Sequence, residues 1–77
     1  MIFLIEYNRR RGQIVNFEMF DDTDRQKAEE ARFEMEIKLN RVGIEHEVIL
    51  LEAETEEALR RTHRRYFEDL TQLATAQ

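Results

Sequence analysis

Four consecutive residues near the N-terminus, Ile2-Phe3-Leu4-Ile5, have no polar side chain to offer water. Successive side chains of a strand point to opposite faces, so such a run needs apolar cover on both sides. Its branched and aromatic composition suits a strand. Residues 2–7 are therefore expected to form a buried, central strand, with the rest of the chain arranged around it.

The next segment is built differently. After Asn8-Arg9-Arg10-Arg11-Gly12, the residues Val15, Phe17 and Met19 alternate with Asn16 and Glu18. A period of two marks a half-buried strand, expected over residues 13–20. Gly12 can take the left-handed backbone conformation that closes a short hairpin loop, so the two strands should be antiparallel neighbours.

Asp21-Asp22 stops this strand, and Thr23-Asp24-Arg25-Gln26 fits a capping box, with Thr23 accepting from the Gln26 amide. A helix is expected over residues 23–42. Ala28, Ala31, Met35, Leu39 and Val42 recur at spacings of three and four along roughly 30 Å of it, and Gly43 supplies a C-terminal cap. A third strand over residues 44–51 would place Ile44, His46, Val48 and Leu50 on one face and Glu45, Glu47, Ile49 and Leu51 on the other. Thr55 with Glu56 and Glu57 opens a second helix, expected over residues 55–73, with Leu59, Tyr66, Leu70 and Leu73 on one stripe. Residues 74–77 should fray.

The order β-β-α-β-α, with a right-handed crossover through the first helix, makes the third strand parallel to the second. The simplest sheet has order 2-1-3, in which both neighbouring pairs are antiparallel and the second and third strands are edges. The fold class is thus α/β in composition and α+β in arrangement: a three-stranded antiparallel sheet packed with two helices, in a single domain spanning residues 1–77. Which sheet face the second helix covers is left open by periodicity.

A 77-residue chain holds one small core, and without cysteine it lacks both disulfides and thiolate metal ligands. Cores of this size contribute roughly 3 to 5 kcal/mol, which leaves self-association as the remaining reinforcement. A homodimer is expected on that ground. The apolar N-terminal run breaks at Glu6, too soon for a signal peptide or a membrane span, so a cytoplasmic protein without membrane contact is expected. The net charge of −5 makes this an acidic protein and disfavours general attraction to nucleic acid or anionic lipid.

Phe33 and Ile37 lie one turn apart, nearly opposite the Ala28, Met35 and Leu39 stripe. They are the partner-interface candidates. The competing reading packs Phe33 inside the chain against Tyr66 or Phe67. The exposed edge strands offer a second route to a dimer, by sheet continuation across a twofold axis.

There are two basic segments, Arg9-Arg10-Arg11 on the hairpin loop and Arg60-Arg61-Thr62-His63-Arg64-Arg65 on the second helix, the latter followed by Tyr66 and Phe67. Arginine forks beside aromatic rings are the ingredients of a single-stranded nucleic-acid site, so Arg9, Arg10, Arg11, Arg60, Arg61, Arg64 and Arg65 are its candidates. Intrahelical pairing accounts for most of the second segment without a ligand: Glu56 with Arg60, Glu57 with Arg61, and Arg64 and Arg65 with Glu68 and Asp69.

Catalytic signals are weaker. Glu45-His46-Glu47 looks like a metal cluster, yet on a strand His46 points away from both neighbouring carboxylates, and it reads as a structural histidine. His63 sits among arginines on the surface. The chain has no serine or cysteine nucleophile, and two glycines cannot write a phosphate-binding loop. No catalytic residue, metal ligand set or cofactor is assigned. The leading expectation is a non-enzymatic protein–protein interaction or regulatory module acting as a homodimer, which binds at the Phe33 and Ile37 seam or at an edge strand. An RNA- or DNA-binding factor using the arginines is the alternative. A small dimeric acid–base enzyme drawing on Glu6, Tyr7 and His46 is the third reading, and it requires those side chains to share one cleft.

Overall fold

The computed structural model describes residues 1–68. Strand β1 (Ile2–Asn8) pairs antiparallel with β2 (Gln13–Phe20) on one side and with β3 (Glu47–Glu52) on the other, giving the sheet order β2-β1-β3. Helix α1 (Arg25–Val42) joins β2 to β3, and two short helices, α2 (Glu56–Thr62) and α3 (Arg64–Phe67), follow β3. The result is a small α+β domain of the expected order and topology. No helix among the described residues is long and apolar enough to cross a membrane.

β1 is buried along six residues, Ile2 to Tyr7. Phe3, Ile5 and Tyr7 pack on one face with Leu59 of α2 and Tyr66 of α3, bordered by Ile14, Phe17, Ile49, Leu51 and Phe67. On the opposite face Leu4 and Glu6 share a groove with Ala31, Met35 and Leu39 of α1. The two helical segments therefore cover opposite faces of the sheet. Ile2, Phe3, Leu4, Ile5 and Leu59 are the large side chains withdrawn completely from water. At about 1.5 to 3 kcal/mol each, this one strand supplies most of the apolar stabilisation the core gains from its large side chains.

The hairpin closes as expected. Gly12 has φ 65°, and its amide donates to the Asn8 carbonyl at 2.8 Å. The pattern of β2 differs from strict alternation, because Glu6 pairs with Asn16 while Tyr7 pairs with Ile14. Val15 is the extra residue of a β-bulge. The expected face of Val15, Phe17 and Met19 is thereby corrected: Val15 turns to the α1 side, where it lines the groove with Leu4, and Ile14 joins Phe17 on the α2–α3 side.

Element ends depart from expectation for local reasons. Asp22–Asp24 forms a 3-10 turn, with the Asp24 amide donating to the Asp21 carbonyl at 2.9 Å, so α1 starts at Arg25 and not at Thr23. Thr23 is thus inside the turn, the capping box does not form, and the Gln26 amide group donates to Glu30 at 3.4 Å. At the other end Gly43 has φ 73°; its amide donates to the Asn40 carbonyl at 3.2 Å, and that of Ile44 to Leu39 at 2.9 Å. This left-handed cap consumes the Ile44 amide, and the last β1–β3 pair is Tyr7 with Glu47. β3 therefore begins at Glu47, three residues after the expected start, and Val42 at the end of the apolar stripe is 60% exposed.

Thr55 caps α2 as expected, accepting from the Ala58 amide at 3.1 Å. The expected continuous second helix is interrupted at His63, whose φ of −123° and ψ of 50° leave the helical region. Just before it the Thr62 hydroxyl donates to the carbonyls of Ala58 at 3.0 Å and Leu59 at 3.3 Å, a back-bonding that bends helices. Leu59 and Tyr66 remain on the core side across the break. Leu70, Leu73, the expected helix end at 73, the Asp69 pairing and the tail 74–77 lie outside the described residues.

Candidate functional site

The two arginine segments meet at one carboxylate. Glu47, at the start of β3, projects to the α2–α3 face opposite Tyr7. Its Oε1 accepts from Arg9 Nε of the hairpin loop at 2.9 Å, and its Oε2 accepts from Arg65 Nη2 of α3 at 3.3 Å and from the Tyr66 hydroxyl. The Arg65 guanidinium lies 4.2 Å above the Tyr66 ring, and the Tyr7 hydroxyl donates to the Arg65 carbonyl at 3.2 Å. Tyr7 and Tyr66 meet edge to face with centroids 4.9 Å apart.

The electrostatics follow from these bonds. The Tyr66 hydrogen bond, together with Arg9 and Arg65, holds the Glu47 carboxyl below its ordinary range against the opposing effect of burial. Burial and the adjacent Glu47 charge push the Tyr66 phenol up. An ionised carboxylate and a neutral phenol are thus locked together, and each arginine enters the cluster already half neutralised.

The other arginine candidates divide. Arg60 bonds Glu56 at 3.0 Å and covers the Phe67 ring at 4.6 Å. Arg61 pairs with Glu57 at 3.4 Å and Arg64 with Glu68 at 2.8 Å, as the sequence spacing implies. Arg65 reaches Glu47, a partner that no intrahelical spacing could reveal. Arg10 and Arg11 are exposed and enter no ion pair among the described residues; their backbone amides donate to Asn8 Oδ1 at 3.1 and 3.2 Å.

A second polar cluster lies on the α1 side of the sheet, around the one buried carboxylate among the described residues. Glu6 is 5% exposed. Its Oε1 accepts from Asn16 Nδ2 at 2.7 Å and its Oε2 from His46 Nδ1 at 2.5 Å. Burial raises the Glu6 carboxyl most strongly as a single influence, but the bonds from His46 and Asn16 with the charges of His46 and Lys38 outweigh it and leave the group below its ordinary range. His46 is therefore a half-buried structural partner of Glu6, whereas Glu47 bonds Arg9, Arg65 and Tyr66. Sequence reasoning missed Asn16, whose only signal was a polar residue opposite Glu6 in the hairpin. Tyr7 points to the other face, so Glu6, Tyr7 and His46 do not converge on a cleft. No group of three or more metal-ligating side chains exists among the described residues.

Phe33 and Ile37 stand on the outer side of α1, 62% and 40% exposed. Since α2 and α3 cover the opposite sheet face, Phe33 does not pack on Tyr66 or Phe67, and the intramolecular reading of this seam is corrected. Two grooves flank β2. One, between β2 and α1, measures about 560 Å³ and contains Leu4, Val15, Ala31 and Met35. The other, between β2 and α3, measures about 420 Å³ and contains Ile14, Phe17, Arg60 and Phe67. Comparison with protein families, with curated proteins and with solved structures gives no match.

Proposed function

We propose that the protein is a non-enzymatic interaction module that acts as a homodimer through the outer face of α1. The observation that carries this reading is the exposure of Phe33 and Ile37 on a helix whose other side already rests on the sheet. They lie about 140° and 180° round the helix from the buried Ala28. Charge supports a second copy as the occupant. Glu29, one turn before Phe33, and Arg41, one turn after Ile37, are in no ion pair among the described residues. Antiparallel pairing of two α1 helices that sets Phe33 against the copy's Ile37 also sets Glu29 against the copy's Arg41, twice.

The non-enzymatic part rests on how the titratable groups are used. Both oxygens of Glu6 and both of Glu47 are bound by side chains of their own chain. The reading keeps the cytoplasmic setting expected from the sequence. Light scattering over a range of concentrations tests it: the parent is expected to be a dimer and Phe33→Glu with Ile37→Glu a monomer of unchanged circular dichroism. A monomeric parent, or a folded variant that stays dimeric, overturns the seam.

A second reading, an RNA- or DNA-binding factor, draws on the nearness of Arg9 and Arg65, which the Glu47 carboxylate between them partly neutralises. Fluorescence anisotropy with single-stranded and duplex oligomers at low salt tests it. Phosphate-dominated binding weakens steeply with salt and strengthens when Glu47→Gln releases the two arginines; flat titrations for both proteins reject it.

A further inference from the structure

β2 lies at the edge of the sheet, and its outer side has no strand neighbour among the described residues. Edge strands are normally blunted by lysine, proline or inward charge. Between Gln13 and Phe20 the one charged residue is Glu18, and the strand has no proline. The bulge at Val15 interrupts its first half, leaving Asn16 to Phe20 as a regular stretch that pairs with β1 on one side and whose outward backbone groups meet no strand among the described residues.

Beside this edge runs the groove between β2 and α3. Ile14 and Phe17 are three residues apart and would face opposite sides in a regular strand, yet the bulge brings both to the groove, where Phe67 stacks edge-on against Phe17 at 5.8 Å. Ile14 and Phe17 are only half-buried. At the start of β2 stand the cations of Arg10 and Arg11, which enter no ion pair among the described residues.

We infer that this edge and groove dock an extended acidic segment of another protein, which adds as a fourth strand along β2. Its backbone pairs with Asn16 to Phe20, alternate apolar side chains enter the groove over Ile14, Phe17 and Phe67, and its carboxylates reach Arg10 and Arg11. A polypeptide fits better than a polynucleotide. Only a polypeptide supplies amide donors and carbonyl acceptors at strand spacing, and the Phe67 ring is already covered by Arg60, which leaves that face closed to a base. The inference rests on the interaction-module reading but not on the α1 seam, so the mass measurement above and the following selection fail separately.

The test is selection of random displayed peptides of about ten residues, long enough to lie along β2, on the immobilised full chain. Enriched peptides are expected to carry acidic residues at one end and apolar residues at alternate positions. Arg10→Glu with Arg11→Glu, checked for folding by circular dichroism, should weaken such a peptide about tenfold or more, as should N-methylation of alternate peptide bonds in the ligand. Amide resonances of Asn16 to Phe20 should shift on binding. No enrichment over the blank support overturns the inference, as does an enriched peptide indifferent to both changes. Binding of a thymidine oligomer that depends on Arg10 and Arg11, with no peptide enriched, assigns the patch to polynucleotide instead.

Discussion

Glu6 Oε2 stands 2.5 Å from His46 Nδ1, so the buried carboxylate of the central strand is held by a residue just outside the neighbouring strand. The bond ties the entry of β3 to β1 before the ladder begins. Removing the charge with Glu6→Gln is expected to cost about 1 to 3 kcal/mol at neutral pH. Urea unfolding of parent and variant measures it.

The pH dependence has a fixed sign. A carboxyl held below its unfolded value stabilises the fold fully above the ordinary carboxylate range and loses that contribution as pH falls through its folded value. The parent's unfolding midpoint is therefore expected to drop between about pH 5 and pH 3, and Glu6→Gln to flatten part of that limb. Glu47 is shifted the same way, so the double variant Glu6→Gln with Glu47→Gln should flatten it further. A double variant as acid-sensitive as the parent would assign the limb to other carboxylates.

At the opposite sheet face Tyr66 reports on Glu47. Its phenol is raised first by burial and then by the Glu47 bond and charge. Phenolate absorbance is expected to develop above the ordinary tyrosine range in the parent and to move down in Glu47→Gln, which removes the negative neighbour. Tyr66→Phe should cost about 1 to 2 kcal/mol, because Glu47 keeps its arginines but loses the hydroxyl.

The central strand and its hairpin were legible because Ile2 to Ile5 needs cover on both sides and Gly12 permits the turn. The polar clusters were not. Periodicity describes the faces of one element, whereas the meeting of Arg9, Glu47 and Arg65 depends on which sheet face α2 and α3 occupy. The Val15 bulge was hidden for a different reason: an apolar residue at 15 satisfies simple alternation, so nothing in the pattern demanded an extra residue. The break at His63 escaped because Leu59 and Tyr66 fit one stripe with or without it.

The two capped helix ends offer a comparison of backbone with side-chain effects. At Gly43 a Cβ would meet nothing within 4 Å, so Gly43→Ala isolates the cost of φ 73° for an L residue. Thr55→Ala removes one hydrogen bond from an exposed cap. Each is expected to cost about 1 kcal/mol, a fall of roughly 4 to 8 °C in Tm for a domain of this size. A Gly43→Ala protein as stable as the parent would mean that the chain leaves α1 by another route.

Val15 and Asn16 separate the bulge from the bond that lies beside it. Deleting either residue makes β2 one residue shorter and lets its ladder with β1 run without interruption through Glu6 and Tyr7. Deleting Val15 keeps the Asn16 amide on Glu6 and sacrifices a side chain that is already 48% exposed. Deleting Asn16 puts Val15 opposite Glu6 and leaves Oε1 without its donor. The first deletion is expected to stay within about 1 kcal/mol of the parent and the second to cost about 1 to 3 kcal/mol more. Removing the bulge also straightens the edge, so both proteins should self-associate more strongly as concentration rises. Equal stabilities would show that the Asn16 bond adds nothing to the fold. A Val15 deletion that fails to fold would show that the extra residue sets the twist that lets β2 follow β1.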